Sequence, residues 1–127
     1  MALPSMGAKR RVVIIDDEPA FAETLTKMVK SLGFEVTVST DARSSYTFAL
    51  ENTDIVFVDV LMPNVSGLQV LEKLAQQKTR SSIVLMSGHL ERLDEAEKLA
   101  RKLDLNLVGS LEKPFRLEDV KDVLLGA

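Results

Sequence analysis

The sequence predicts an α/β domain: a doubly wound, five-stranded parallel sheet with helices on both faces. Three observations carry that expectation. Strand-length apolar runs alternate with segments of helical period along the whole chain, the arrangement that produces parallel strands joined by right-handed crossovers. The strongest runs are continuous rather than alternating, as in strands covered on both faces. Four of them also run into a polar residue of a particular kind: Asp16-Asp17 after residues 11–15, Asp59 after 55–58, Ser87 after 83–86, and Lys113-Pro114 after the run that starts at Leu105.

Taken in order, Arg11-Val12-Val13-Ile14-Ile15 is the first strand. Pro19 falls in the first turn of a helix, where its missing N–H leaves no bond unmade. Phe21, Leu25, Met28 and Leu32 follow at helical spacing, and Gly33 supplies the stop. Residues 34–39 alternate and read as a strand nearer the sheet edge. Asp41 suits the cap of a short helix over 42–50, which Asn52-Thr53 breaks. Residues 54–58 are the most hydrophobic strand and belong at the centre. Residues 59–66, with Pro63, form a loop that leads past Gly67 into a helix carrying Leu68, Leu71 and Leu74 and stopping near Lys78. Residues 82–86 are the next strand. A helix over 89–103 places Leu93, Ala96, Leu99, Ala100 and Leu103 on one side and charges elsewhere. The last strand spans 105–111, and the last helix spans 117–124 through Leu117, Val120, Val123 and Leu124. The chain carries no internal repeat, linker or low-complexity stretch.

A length of 127 residues suits one domain with a core that needs no staples. The chain has no cysteine, which excludes disulfides, thiolate chemistry and Cys-based zinc sites. That agrees with a reducing compartment, and a cytoplasmic location is expected. The net charge of −3 argues against a nucleic-acid-binding face, and Lys9-Arg10-Arg11 reads as a solvated approach to the first strand. No apolar run approaches the length of a membrane span, so no membrane partner is expected. Residues 1–9 read as a flexible leader ahead of a domain over 10–127.

The carboxyl ends of parallel strands share one edge, where open α/β sheets bind ligands. Asp16, Asp17, Asp59, Ser87 and Lys113 would meet there. Three crowded carboxylates raise one another's pKa unless a cation is present. Mg²⁺ takes oxygen ligands, commonly one or two carboxylates and a phosphate oxygen. A carboxylate nucleophile can accept a phosphoryl group, which needs positive neighbours more than acid–base help. Each residue has a plainer reading. Asp16-Asp17-Glu18 could be a solvated acidic turn at a helix N-terminus, with Glu18 a capping or solvated residue. Ser87-Gly88 could be a turn with a serine cap, and Lys113-Pro114 a turn with a snorkelling lysine. Gly67 reads as backbone accommodation at a helix start rather than a phosphate cradle. The ordered set, not any one member, favours the shared crevice.

The motifs are Asp16-Asp17 after the first strand, Asp59 after the third, Met62-Pro63 with Gly67, Ser87 after the fourth, and Lys113-Pro114-Phe115 after the fifth. In them the chain resembles the receiver domain of bacterial two-component response regulators, over roughly residues 10–125. The resemblance implies a flavodoxin-like receiver fold with strand order 2-1-3-4-5, acting as a phosphoryl-accepting switch rather than a turnover enzyme. It implies that Asp59 takes a phosphoryl group from a histidine kinase or phosphotransfer domain, with Mg²⁺ as cofactor. The ion would be bound directly by Asp17, Asp59 and the Leu61 backbone carbonyl, and by Asp16 through water. Lys113 would pair with one phosphoryl oxygen, and the Ser87 hydroxyl would turn in to donate to another. A cis Lys113–Pro114 bond is implied as well. Leu61 and His89, two positions past the acceptor and the switch serine, would shape the access of water, which makes His89 a modulating residue. A homodimer through the fourth helix, fifth strand and fifth helix is a further expectation, as is an output domain or separate effector beyond these residues.

Two positions depart from the family pattern. Ser110 stands where receivers generally carry Tyr or Phe, and Tyr46 on the second expected helix cannot replace that ring. Arg116 stands where a small polar cap is common, and it is expected to add positive potential near the site or to contact a partner. The stretch 108–115 is similar to fifth-strand segments of receivers fused to EAL-type cyclic-di-GMP phosphodiesterases, which also lack the aromatic; no such activity is expected of these 127 residues. Rival classes fit less well. A phosphatase of the haloacid dehalogenase type would want Asp-x-Asp after its first strand. A flavodoxin-like nucleotide binder would want a Ser/Thr/Gly-rich loop where Asp16-Asp17-Glu18 stands. A pseudo-receiver would not need the full set.

Overall fold

Five strands, β1 (Arg11–Ile15), β2 (Glu35–Ser39), β3 (Ile55–Asp59), β4 (Ser82–Ser87) and β5 (Asn106–Glu112), form one sheet in the order β2-β1-β3-β4-β5. Every pairing is parallel. The computed structural model describes residues 10–40, 52–62 and 66–126. Within them lie four helices, α1 (Pro19–Ser31), α2 (Gly67–Gln76), α3 (Leu90–Lys102) and α4 (Leu117–Leu125). The helix expected over 42–50 and the leader over 1–9 lie outside the described residues.

The continuous apolar runs are explained by two separate cores. Val12, Ile14, Ile55, Phe57, Val84 and Met86 pack toward Leu25 and Val29 of α1 and Val120 and Leu124 of α4. Their strand neighbours Val13, Ile15, Val56, Val58, Ile83 and Leu85 point the other way, toward α2 and α3. Successive strand residues face opposite sides, so a strand between two helical layers must be apolar at every position. β3 is buried throughout and sits centrally, as its composition requires. β2, at the edge, is half-buried in alternation. At roughly 1.5–3 kcal/mol for each fully buried aliphatic side chain, the two cores hold the sheet rigid while its rim carries charge.

Helix ends follow local chemistry. Pro19 is the first residue of α1, and Gly33 closes the turn after it with φ +96°. The buried stripe of α1 is Ala22, Leu25 and Val29, with Phe21, Met28 and Leu32 at its half-buried margins, so the stripe keeps the helical spacing but is rotated slightly from the expected one. α2 buries Val70, Leu71 and Leu74 and leaves Leu68 half-buried. A capping box opens this helix: Ser66 Oγ accepts from the Leu68 N–H (3.1 Å), and Gln69 Oε1 accepts from the Ser66 N–H (3.3 Å). Gly67 is required there. A Cβ would lie 2.5 Å from Val60 Cα and 2.7 Å from the Asp59 carbonyl oxygen, so the helix can press against the end of β3 only without a side chain. In β5 the pairing with β4 steps from Ile83↔Leu107 to Val84↔Gly109, leaving Val108 as a bulge. Among the described residues, no helix is long and apolar enough to cross a membrane.

Candidate functional site

The parallel register brings the ends of β1, β3, β4 and β5 to one edge, and the hydrogen-bond ladder continues one residue past three of the strands. The Asp16 N–H donates to the Ser39 carbonyl (3.1 Å), the Val60 N–H to that of Met86 (2.8 Å), and the Lys113 N–H to that of Ser87 (2.8 Å). Polar side chains then leave the sheet from fixed backbone. Three of them make the same local turn, a side-chain oxygen accepting the N–H two residues on. Asp16 Oδ1 takes the Glu18 N–H (2.9 Å), Asp59 Oδ1 the Leu61 N–H (3.2 Å), and Ser87 Oγ the His89 N–H (3.0 Å). Each turn fixes a rotamer and, for the two aspartates, commits one oxygen and presents the other.

Lys113 gathers the presented oxygens. Its Nζ lies 3.0 Å from Asp16 Oδ2, 3.1 Å from Glu18 Oε1 and 3.3 Å from Asp59 Oδ2. The Phe21 ring covers another side of the ammonium, with its centroid 4.0 Å from Nζ. That ring stands edge-to-face on Phe115 at 5.2 Å, so the residue two past the lysine steadies the platform beneath it. Asp16 and Asp59 are buried, whereas the Glu18 side chain is 65% exposed.

Burial and repulsion leave the carboxylates under strain. Desolvation first, and the Asp16 charge second, push the Asp59 carboxyl up from 3.8 to about 7 despite the opposing pull of Lys113. Asp17 is raised as well, by burial and by Asp16. Burial alone would lower Lys113; the carboxylates of Asp59, Asp16 and Glu18 outweigh it and hold the ammonium above its ordinary value. One lysine therefore does not neutralise the cluster. Asp16, Asp17 and Asp59 offer oxygens all within 4.8 Å of one another. A cluster of hard oxygen donors with excess negative charge fits a divalent cation such as Mg²⁺.

The structure thus brings together Asp16, Asp17, Asp59 and Lys113 as the strand-end pattern requires. Ser87 is buried at the end of β4, with its hydroxyl engaged at the start of α3. Leu61 and His89 line an open cleft of about 630 Å³ beside the site, together with Glu91, Arg92 and Glu112. The Lys113–Pro114 bond is cis. Ser110 has a partner that the sequence did not suggest: its hydroxyl donates to Glu97 Oε2 at 2.6 Å, tying β5 to α3. Arg116 stands at the N-cap of α4, where its backbone N–H donates to Asp119 Oδ2 (2.9 Å). Two members of the lysine's surroundings, Phe21 and Glu18, are not evident from the sequence pattern. Helical spacing places Phe21 in the core, and its position at the start of α1 marks Glu18 only as a cap or solvated residue. The Glu18 side chain makes no cap bond; it reaches Lys113 instead.

An open α/β sheet with three carboxylates and a lysine on its carboxyl edge defines a class of cation- and phosphoryl-handling domains. Within that class the chain belongs to the response regulator receiver domain family, whose model matches residues 12–125. It is a receiver domain of the two-component type, a regulatory signalling domain. The chain is 32% identical over 117 residues to the positive alginate biosynthesis regulatory protein of Pseudomonas aeruginosa, covering 89% of this chain and 45% of that protein. It is 31% identical over 112 residues to the transcriptional regulatory protein FixJ of Bradyrhizobium diazoefficiens, covering 87% and 52%. The chain therefore spans about half the length of these relatives. Its backbone superposes on a response regulator from Colwellia psychrerythraea with a TM-score of 0.83 and 31% identity, over 93% of this chain and 95% of that one.

Proposed function

We propose that Asp59 is the phosphoacceptor of this receiver domain and that its phosphorylation switches the surface formed by α3, β5 and α4. A histidine kinase or phosphotransfer domain presents a phosphohistidine. An Asp59 carboxylate oxygen attacks the phosphorus, the P–N bond breaks, its electron pair returns to the imidazole, and an acyl phosphate forms. Lys113 pairs with a phosphoryl oxygen. Ser87 exchanges its bond with the His89 N–H for one in which its hydroxyl donates to the phosphoryl group. Asp16, Asp17 and Asp59, with the Leu61 carbonyl, would hold Mg²⁺, which when bound neutralises charge on the group being transferred. The reading is carried by one observation: two buried carboxylates from different strands, Asp16 and Asp59, bridged by Lys113.

Phosphorylation then acts as a population shift, because the modified site makes contacts in one state that it lacks in the other. The serine at position 110 cannot fill space as an aromatic ring would, so its bond to Glu97 is the tie between β5 and α3 that any shift of that surface must keep or break. Leu61 and His89 govern the approach of water to the acyl phosphate from the adjoining cleft. The domain works in the cytoplasm through a kinase, an output domain or effector, and a second copy through the α3–β5–α4 face, without contacting nucleic acid or membrane itself.

Incubation with phosphoramidate tests the reading. In Mg²⁺ the wild-type domain should gain one acid-stable, base-labile phosphoryl group, lost in EDTA and in Asp59→Asn, with a decay rate altered by His89→Ala. Phosphate uptake by Asp59→Asn equal to wild type, or none by the wild type, would overturn it.

A further inference from the structure

Lys113 has three N–H donors, and in this structure each faces a carboxylate: Asp16, Glu18 and Asp59. The Phe21 ring closes a further side. A phosphoryl oxygen can be paired only if one of these partners gives way. Asp16 is fully buried and its other oxygen holds the Glu18 N–H. Asp59 is buried and is itself the proposed acceptor. Glu18 differs on every count. It is exposed, its side chain is long, and it leaves the helix cap of α1 unmade in order to reach the lysine. Of the three, it is the partner that can return to water at little cost.

We propose that Glu18 holds the place of a phosphoryl oxygen on Lys113, as a positioning residue that keeps the ammonium over Asp59 in the resting domain and is displaced when the phosphoryl group arrives. The proposal rests on the reading of Asp59 as acceptor. Glu18 orients Lys113 beforehand, but it also competes for the donor that the phosphoryl group requires and adds a like charge beside it. Its effect therefore falls on phosphoryl binding and not on cation binding. Removing Glu18 should favour the phosphoryl-bound state, whereas removing an ordinary structural salt bridge should not.

The test uses beryllofluoride, a phosphoryl analogue, titrated calorimetrically into the whole domain in saturating Mg²⁺, with Mg²⁺ alone titrated separately. Glu18→Gln should tighten beryllofluoride binding roughly three- to sixfold, the scale of an ion pair with one exposed partner, without tightening Mg²⁺ binding. Glu18→Asp keeps the charge but is one methylene shorter and favours capping the helix; it should tighten binding comparably. Glu23→Gln, which removes the same charge from α1 where Glu23 pairs with Lys27, should leave both affinities unchanged. The proposal is overturned if Glu18→Gln binds beryllofluoride like wild type, if Glu18→Asp does, or if Glu23→Gln gives an equal gain, which would mean a general field effect. Failure of the wild type itself to bind beryllofluoride would overturn the functional reading and this proposal together; wild-type binding with indifferent Glu18 variants removes this proposal alone.

Discussion

Lys113→Met should destabilise the metal-free domain by about 3–5 kcal/mol at pH 8, the cost of removing one partner from a buried ionic cluster. The side chain is nearly the same size, so the loss is electrostatic rather than a cavity. Glu18 can turn to water, but Asp16 and Asp59 cannot. Both stay buried, and the repulsion between them is no longer offset by an ammonium about 3 Å from each. The deficit should shrink at pH 5. Asp59 already titrates at about 7 with the lysine present; without it the carboxyl rises further and takes a proton, which relieves the repulsion. Mg²⁺ should recover part of the loss at pH 8, since a divalent cation supplies the missing positive charge. Urea midpoints at both pH values, with EDTA and with Mg²⁺, decide the matter. A deficit that is the same at pH 5 and pH 8 would mean that Lys113 holds the fold by packing and that the carboxylates do not depend on it.

The strand pattern was legible because burial on both faces leaves little freedom of composition. A run such as Ile55-Val56-Phe57-Val58 has few uses other than a central strand, and its termination at Asp59 is conspicuous because burial disfavours a carboxylate there. The convergence of Asp16, Asp17, Asp59 and Lys113 followed from parallel topology alone, since strand ends in one sheet must share an edge. What remained hidden depends on side-chain reach. Glu18 lies far from Lys113 in the chain, and an exposed glutamate at a helix start looks alike whether it points to water or to a lysine. Phe21 satisfies the helical period whether it fills core or underlies an ammonium. Ser110 and Glu97 sit on adjacent elements, yet their contact depends on the bulge at Val108, which no periodicity announces. The box at Ser66-Gln69 was visible in principle, as a serine followed three residues later by glutamine.

Asp59→Asn should make the metal-free domain more stable at pH 8 while removing its capacity to be phosphorylated. In the folded wild type the carboxyl ionises at about 7 instead of 3.8, so the native state holds that proton more tightly than the unfolded chain. The contribution of a group raised in this way is fully present below the unfolded value and lost as pH rises through the folded one. Wild-type stability should therefore decline between about pH 4 and pH 7 through Asp59, and Asp17, also raised, acts in the same direction. Asparagine mimics the protonated form at every pH. With 1.36 kcal/mol per pKa unit, the gain at pH 8 should be about 2–4 kcal/mol, vanishing near pH 4. Mg²⁺ should narrow the gap, since on the proposed reading the ion would take Asp59 among its ligands in the wild type and lack that ligand in the variant. Denaturation profiles from pH 4 to pH 8, with EDTA and with Mg²⁺, report all of this. An asparagine variant less stable than wild type at pH 8 in EDTA would show that the Lys113 bond, not repulsion from Asp16, dominates at Asp59. The buried Asp59 carboxylate would then rest comfortably as an anion, and the site would not need a second cation to relieve it.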